Sequence, residues 1–122
     1  MNNKESFFVN RVKSVGYAFK GAWILIKTEA SIKVQVSIGI LMTVLGFWVG
    51  LSSTEWILQT LAIGLILAVE GVNTAIEEIA DFIHPEYHPK IGLIKDLAAG
   101  AVFIIAITAM IIGSIIYFPK FF

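Results

Sequence analysis

At 122 residues the chain is the length of one domain, yet 57% of it is hydrophobic and only 15% charged, against roughly a quarter charged in soluble domains. That composition excludes an ordinary water-solvated globule and makes a membrane the expected solvent. Zero formal charge offers no electrostatic basis for binding nucleic acid, and the lack of cysteine removes disulfides, thiolate metal sites and cysteine nucleophiles.

The first element expected is a surface helix over about 6–27. Phe7, Phe8, Val12, Val15, Phe19, Trp23 and Ile26 recur at helical spacing, with Arg11, Lys13, Lys20 and Lys27 among them. Such a helix lies in the interface plane and does not cross. A cleaved signal peptide fits poorly, because the charges are scattered and no clean apolar core precedes a small-residue cleavage site.

Three crossings follow. Val34 to Leu51 is uncharged and runs into Gly50-Leu51-Ser52-Ser53, placing a spanning helix over about 30–51. A second apolar run extends from Trp56 to Val69, is interrupted by Glu70 and resumes through Ile79 and Phe82, which predicts a helix over about 55–83. The third, Leu97 to Phe118, has 22 residues without a charge and is expected to close at Pro119, giving a helix over about 93–118.

Basic residues orient the chain. Lys4, Arg11, Lys13, Lys20, Lys27 and Lys33 precede the first crossing, Lys90 and Lys95 lie between the second and third, and the short first loop carries only Glu55. The N-terminus and a loop from Phe82 to Asp96 are therefore expected in the cytoplasm.

Carboxylates near a bilayer are costly and usually face a protein interior or a watery cavity. Glu70, Asn73, Glu77 and Asp81, spaced by 3, 4 and 4 residues, fall within an arc of roughly 80° on one helix. Solvated helix surface accounts for Glu78 and for Asp81, but poorly for Glu70 after its long apolar run. An interhelical structural hydrogen bond is the plain alternative for Glu70 and Asn73. Glu29, at the start of the first crossing, and Lys95-Asp96, at the start of the third, are expected at the same depth. Carboxylates and an amide suit magnesium and phosphate, and a carboxylate can accept a proton from an attacking hydroxyl. A transporter or channel would also align acids, but the third helix offers only Thr108 and Ser114 to a polar path.

Familiar phosphate and metal motifs are missing. Gly16 to Gly21 has P-loop glycine spacing, but Ala22 and Trp23 stand where Lys and Ser or Thr are required. His84-Pro-Glu-Tyr-His88 lacks the His-Glu-x-x-His order and carries Pro85, with Pro89 following, so a structural loop is expected there.

The run Glu70-Gly-Val-Asn73-Thr74-Ala75-Ile76-Glu77, then Asp81, Glu86-Tyr87-His88 and Lys95-Asp96-Leu-Ala-Ala-Gly-Ala101-Val102 resembles the signature of the prokaryotic diacylglycerol kinase and undecaprenol kinase family. Gly16-Tyr17-Ala-Phe-Lys20-Gly21 resembles its surface helix and Thr28-Glu29 its first metal-site acid. The resemblance implies an all-α integral membrane fold, one surface helix plus three transmembrane helices, assembled as a homotrimer with shared active sites in a prokaryotic cytoplasmic membrane.

The implied activity is an ATP- and Mg²⁺-dependent kinase that phosphorylates a membrane lipid. By the same resemblance Glu70 is the catalytic base, and Glu29 and Glu77 hold the magnesium. Asn73, Lys95, Asp96, Tyr17, Arg11, Glu29 and Glu77 meet the nucleotide. Asp81, Glu86 and His88 support the site, and Ala99 and Trp48 join Glu70 against the lipid. Asn10 stands where the family often has an arginine. Gln35 stands where the enterobacterial diacylglycerol kinases have an acid.

Glu55-Trp56, Tyr87-His88-Pro89 and Phe118-Pro119-Lys120 are more similar to the undecaprenol kinase branch, so undecaprenol is the expected lipid and diacylglycerol the alternative. A non-catalytic membrane assembly protein is the reading from outside the enzyme class.

Overall fold

A computed structural model describes residues 6–122, so Lys4 lies outside the described residues. Among these, four helices and no strand are present: α1 Phe7–Thr28, α2 Ala30–Val49, α3 Ser53–Ile83 and α4 Pro89–Phe121. The all-α class and the three long apolar helices match the expectation, since α2, α3 and α4 each have the length and composition to cross a membrane.

Helices α1, α3 and α4 each begin at a side chain that satisfies an orphan backbone donor. Ser6 caps α1 by accepting from Val9 N–H at 3.2 Å. Between α1 and α2 only Glu29 intervenes, in extended conformation, its N–H donating to Leu25 O at 3.0 Å. The spanning helix therefore leaves the surface helix at a one-residue corner.

At the far end of α2, Gly50 has φ of 75° and its N–H closes on Gly46 O at 3.0 Å. Only glycine takes that left-handed conformation without strain. Gly46 is needed for a different reason: a Cβ there would stand 2.8 Å from both the Leu51 side chain and the Trp56 ring. Ser52 and Glu55 then form a reciprocal capping box that starts α3.

Two expectations about α4 are corrected. The stretch from Phe82 to Asp96 is mostly helical, and the connection shrinks to residues 84–88, because His88 accepts from Lys90 N–H at 3.0 Å and Pro89 occupies the first helical turn, where its missing N–H costs nothing. Pro119 also does not end the helix. It lies inside the last turn of α4, which closes with Phe122 N–H on Phe118 O at 3.0 Å. In the last turn of α4 proline forfeits a single hydrogen bond, the one its missing N–H would have donated to the preceding turn.

Helices α3 and α4 pack along each other as the main hairpin, α2 packs on α3, and α1 meets α2 near the corner. A small core gathers at the Glu55 end, where Leu51, Ile116 and Tyr117 are buried against Met42, Leu45, Trp56 and Ile112. Further along, α2, α3 and α4 leave between them an apolar groove of about 320 Å³. No residue of α1 is buried, and Phe7, Phe8, Phe19 and Trp23 are all exposed. Outward-facing apolar side chains on the three spanning helices are expected in a bilayer, where lipid replaces water as the solvent.

Candidate active site

One line of α3 residues runs through the core and then out of it. Gln59, Ala62, Ile66 and Glu70 are buried in succession, Asn73 is half-buried, and Glu77 and Asp81 are exposed. The 3.6-residue period keeps all of them on nearly one face. A face that is core in mid-membrane thus becomes an acidic edge at the other end.

Glu70 is the pivotal residue. It is 6% exposed, and among the described residues nothing donates a hydrogen bond or an ion pair to its carboxylate. The single chain therefore already places Glu70 at a protein interior, as the cost of a carboxylate near a bilayer requires. Beside it, Gly71 is approached by Leu25 of α1, whose Cδ1 would lie 3.0 Å from a Cβ at that position. Leu25 is one helical turn before Glu29, so the α1–α2 corner lies against α3 next to Glu70. The half-buried Glu29 makes no side-chain cap bond to α2, which leaves its carboxylate uncommitted.

Further along the stripe, Asn73 Nδ2 donates to Glu77 Oε1 at 3.1 Å, while the buried Asn73 Oδ1 has no partner. Lys95 Nζ of α4 donates to Asp81 Oδ1 at 2.6 Å, and Glu77 is close enough to act on the same ammonium through its charge. Charged groups from α3 and α4, with the α1–α2 corner, therefore meet at one end of the bundle.

Asp96 and Ala99 are exposed on α4, next to Lys95 and to the buried Ala98. Glu86 is exposed in the connection, its carbonyl hydrogen-bonded to His84 Nδ1 at 2.7 Å, and His88 caps α4. Tyr17 is exposed on α1, and the Arg11 guanidinium lies 5.6 Å over the Phe7 ring. Neither makes a hydrogen bond to an acid among the described residues. Trp48 is not brought to the site: it stacks on Phe121 at 6.3 Å, at the Glu55 end. That end is roughly 20 Å along α3 from Glu70, at about 1.5 Å per residue.

Among the described residues no three His, Cys, Asp or Glu side chains are grouped to hold a metal. Magnesium does not need such a group, since one or two carboxylates, waters and substrate phosphates complete its shell. The oxygen donors here, the Glu29 and Glu77 carboxylates and the unpartnered Asn73 Oδ1, fit a hard cation and offer zinc no soft ligand.

Sequence reasoning missed the polar cluster at the Glu55 end. Gln59 donates from Nε2 to Met42 O at 3.0 Å, and Tyr117 Oη donates to Gln59 Oε1 at 2.5 Å. Its signal was available: Gln59 precedes Glu70 by eleven residues, which returns it to within about 20° of the same face. The contact between Asp81 and Lys95 was also unread, because the turn that folds α4 back along α3 was taken as a long loop.

Three apolar crossings with acids gathered at one end define an integral membrane protein with an interfacial site. Comparison with known proteins assigns the class. Residues 16–117 match the prokaryotic diacylglycerol kinase family. The chain is 38% identical over 108 residues to the undecaprenol kinase of Bacillus subtilis (strain 168), covering 88% of each chain. It is 32% identical over 124 residues to the diacylglycerol kinase of Escherichia coli (strain K12), covering 99% of each. The chain belongs to the prokaryotic diacylglycerol kinase family, and it is a membrane lipid kinase that transfers phosphate to a lipid alcohol.

Proposed function

We propose that the chain transfers the γ-phosphate of ATP to undecaprenol, giving undecaprenyl phosphate and ADP. The observation that carries the chemistry is the Glu70 carboxylate, on a buried residue and without a partner among the described residues, beside the end of an apolar helix run. A carboxylate so placed meets a hydroxyl that reaches the interface on an apolar tail. Glu70 takes the hydroxyl proton as the lipid oxygen forms its bond to the γ-phosphorus, and the bond from that phosphorus to the bridging oxygen breaks to release ADP.

Glu29 and Glu77 hold Mg²⁺, which supplies charge neutralisation to the phosphates when bound. Asn73 orients Glu77 through their hydrogen bond. Lys95 gives the phosphates a cation, and Asp96, Tyr17 and Arg11 complete the nucleotide contacts. Glu86 and His88 shape the edge of the site, and Ala99 lies along the lipid. Positioning and charge supply most of the catalysis in phosphoryl transfer, so no glycine-rich loop is required.

The likeness to the undecaprenol kinase of Bacillus subtilis over 88% of the chain supports the choice of lipid. The exposure of Glu77, Asp81, Arg11 and Tyr17 in the single chain supports a homotrimer in which neighbouring subunits close the site. The excess of lysine and arginine on α1, with Lys90 and Lys95 in the opening turns of α4, supports a cytoplasmic N-terminus in a prokaryotic inner membrane. The Glu70 end then faces the pool of ATP.

The test offers radiolabelled ATP and magnesium to the detergent-purified protein with undecaprenol or a short-chain diacylglycerol. Label in polyprenyl phosphate alone is expected. Label in phosphatidic acid alone would replace the lipid with diacylglycerol, and label in neither would withdraw the catalytic reading of the site.

A further inference from the structure

Resting on that reading, Lys95 poses a problem that the geometry answers. The stripe from Glu70 to Asp81 carries three carboxylates, and the cation in contact with it among the described residues is Lys95. A nucleotide polyphosphate arriving at this stripe brings further negative charge, and the Lys95 ammonium is the cation already seated there to meet it. In the structure that ammonium is already taken, 2.6 Å from Asp81 Oδ1.

The pair is not locked away. The two side chains remain 38% and 58% exposed, so water and ligand reach both. Lysine suits exchange between anions: its charge is compact, its stem is flexible, and it presents three donors with no fixed fork geometry.

We infer that Asp81 is a positioning residue that holds the Lys95 ammonium at the stripe between turnovers and yields it to the nucleotide phosphates. The contact is thus an ion pair exchanged on each binding event, not a permanent tie between α3 and α4. Asp81 holds Lys95 within reach of Glu77, so that when phosphate arrives the cation moves a short way along a charged edge. Bound nucleotide and the ion pair compete for one ammonium.

Competition makes an unusual prediction, that removing a carboxylate from the site strengthens nucleotide binding. Equilibrium binding of a fluorescent ADP analogue with magnesium, measured on the intact protein in lipid nanodiscs, reads it directly. Asp81→Asn is expected to tighten binding by about two- to five-fold, the scale of an exposed ion pair. Asp81→Glu keeps the charge and should bind as the parent does. In a Lys95→Met background, where binding is weaker, the Asp81→Asn change should bring little or no further gain.

A purely structural tie between the helices predicts weaker or unchanged binding in Asp81→Asn, and either result would overturn the exchange. An equal gain with and without Lys95 would also overturn it, because Asp81 would then act on the phosphates by its own charge. A parent protein that binds no nucleotide would overturn the kinase reading itself, whereas a parent that binds with Asp81→Asn unchanged overturns only the exchange.

Discussion

Two side chains on one face of α3 divide the molecule. Gln59 and Glu70 are buried to the same degree, each 6% exposed. Gln59 is satisfied on both sides of its amide, giving to Met42 O and receiving from Tyr117. The Glu70 carboxylate receives nothing from the described residues. Around Gln59 the pattern continues, with a full capping box at Ser52 and Glu55 and an ion pair from Lys120 to Glu55 at 3.1 Å. Around Glu70 lie an unpartnered Asn73 oxygen, an uncommitted Glu29 and one exposed ion pair. Polar groups at the Glu55 end are consumed by the fold, while those at the Glu70 end remain available for a ligand. A buried polar atom left without a partner costs stability, so the Asn73 oxygen near Glu70 marks a place where the protein gives up stability and keeps a group free for a ligand.

Substitutions at the two ends should therefore differ in kind. Replacing Glu77 by Gln should raise the magnesium concentration needed for half-maximal phosphate transfer by about tenfold or more, because magnesium has few other protein oxygens there, with little change in thermal unfolding. A titration of activity against magnesium reads this, and an unchanged midpoint would remove Glu77 from the metal site. At the other end, Tyr117→Phe leaves Gln59 Oε1 without its donor and should cost about 1–2 kcal/mol of stability, the range for buried and intramembrane hydrogen bonds. The turnover per folded molecule should hold, and a large fall in it would blur the division between the ends. Smallest is Lys120→Met, which removes a partly exposed ion pair and should cost less than about 1 kcal/mol in a thermal melt.

The fold was largely legible because hydrophobic run length is a strong signal in lipid. Apolar stretches at Val34, Trp56 and Leu97 predict three helices, and three are present. What was illegible lay at the ends, where local hydrogen bonds decide. His88 capping drew residues 89–96 into α4, and the final turn absorbed Pro119. In the site, helical spacing was enough to group Glu70, Asn73, Glu77 and Asp81, since one helix carries them all. Contacts between helices were not readable that way, so neither the Asp81–Lys95 pair nor the Gln59–Tyr117 bond was anticipated. Trp48, which a resemblance set against the lipid, stacks on Phe121 at the end remote from Glu70, a position helical spacing within α2 could not give.

The most direct test of a catalytic Glu70 end is phosphate transfer by Glu70→Gln, compared with the parent in the same nanodiscs and at matched helicity. If Glu70 takes the hydroxyl proton, the variant should fold, bind nucleotide and lose about 10²- to 10⁴-fold in turnover. Turnover equal to that of the parent would contradict the account, and the unpartnered carboxylate would need another explanation.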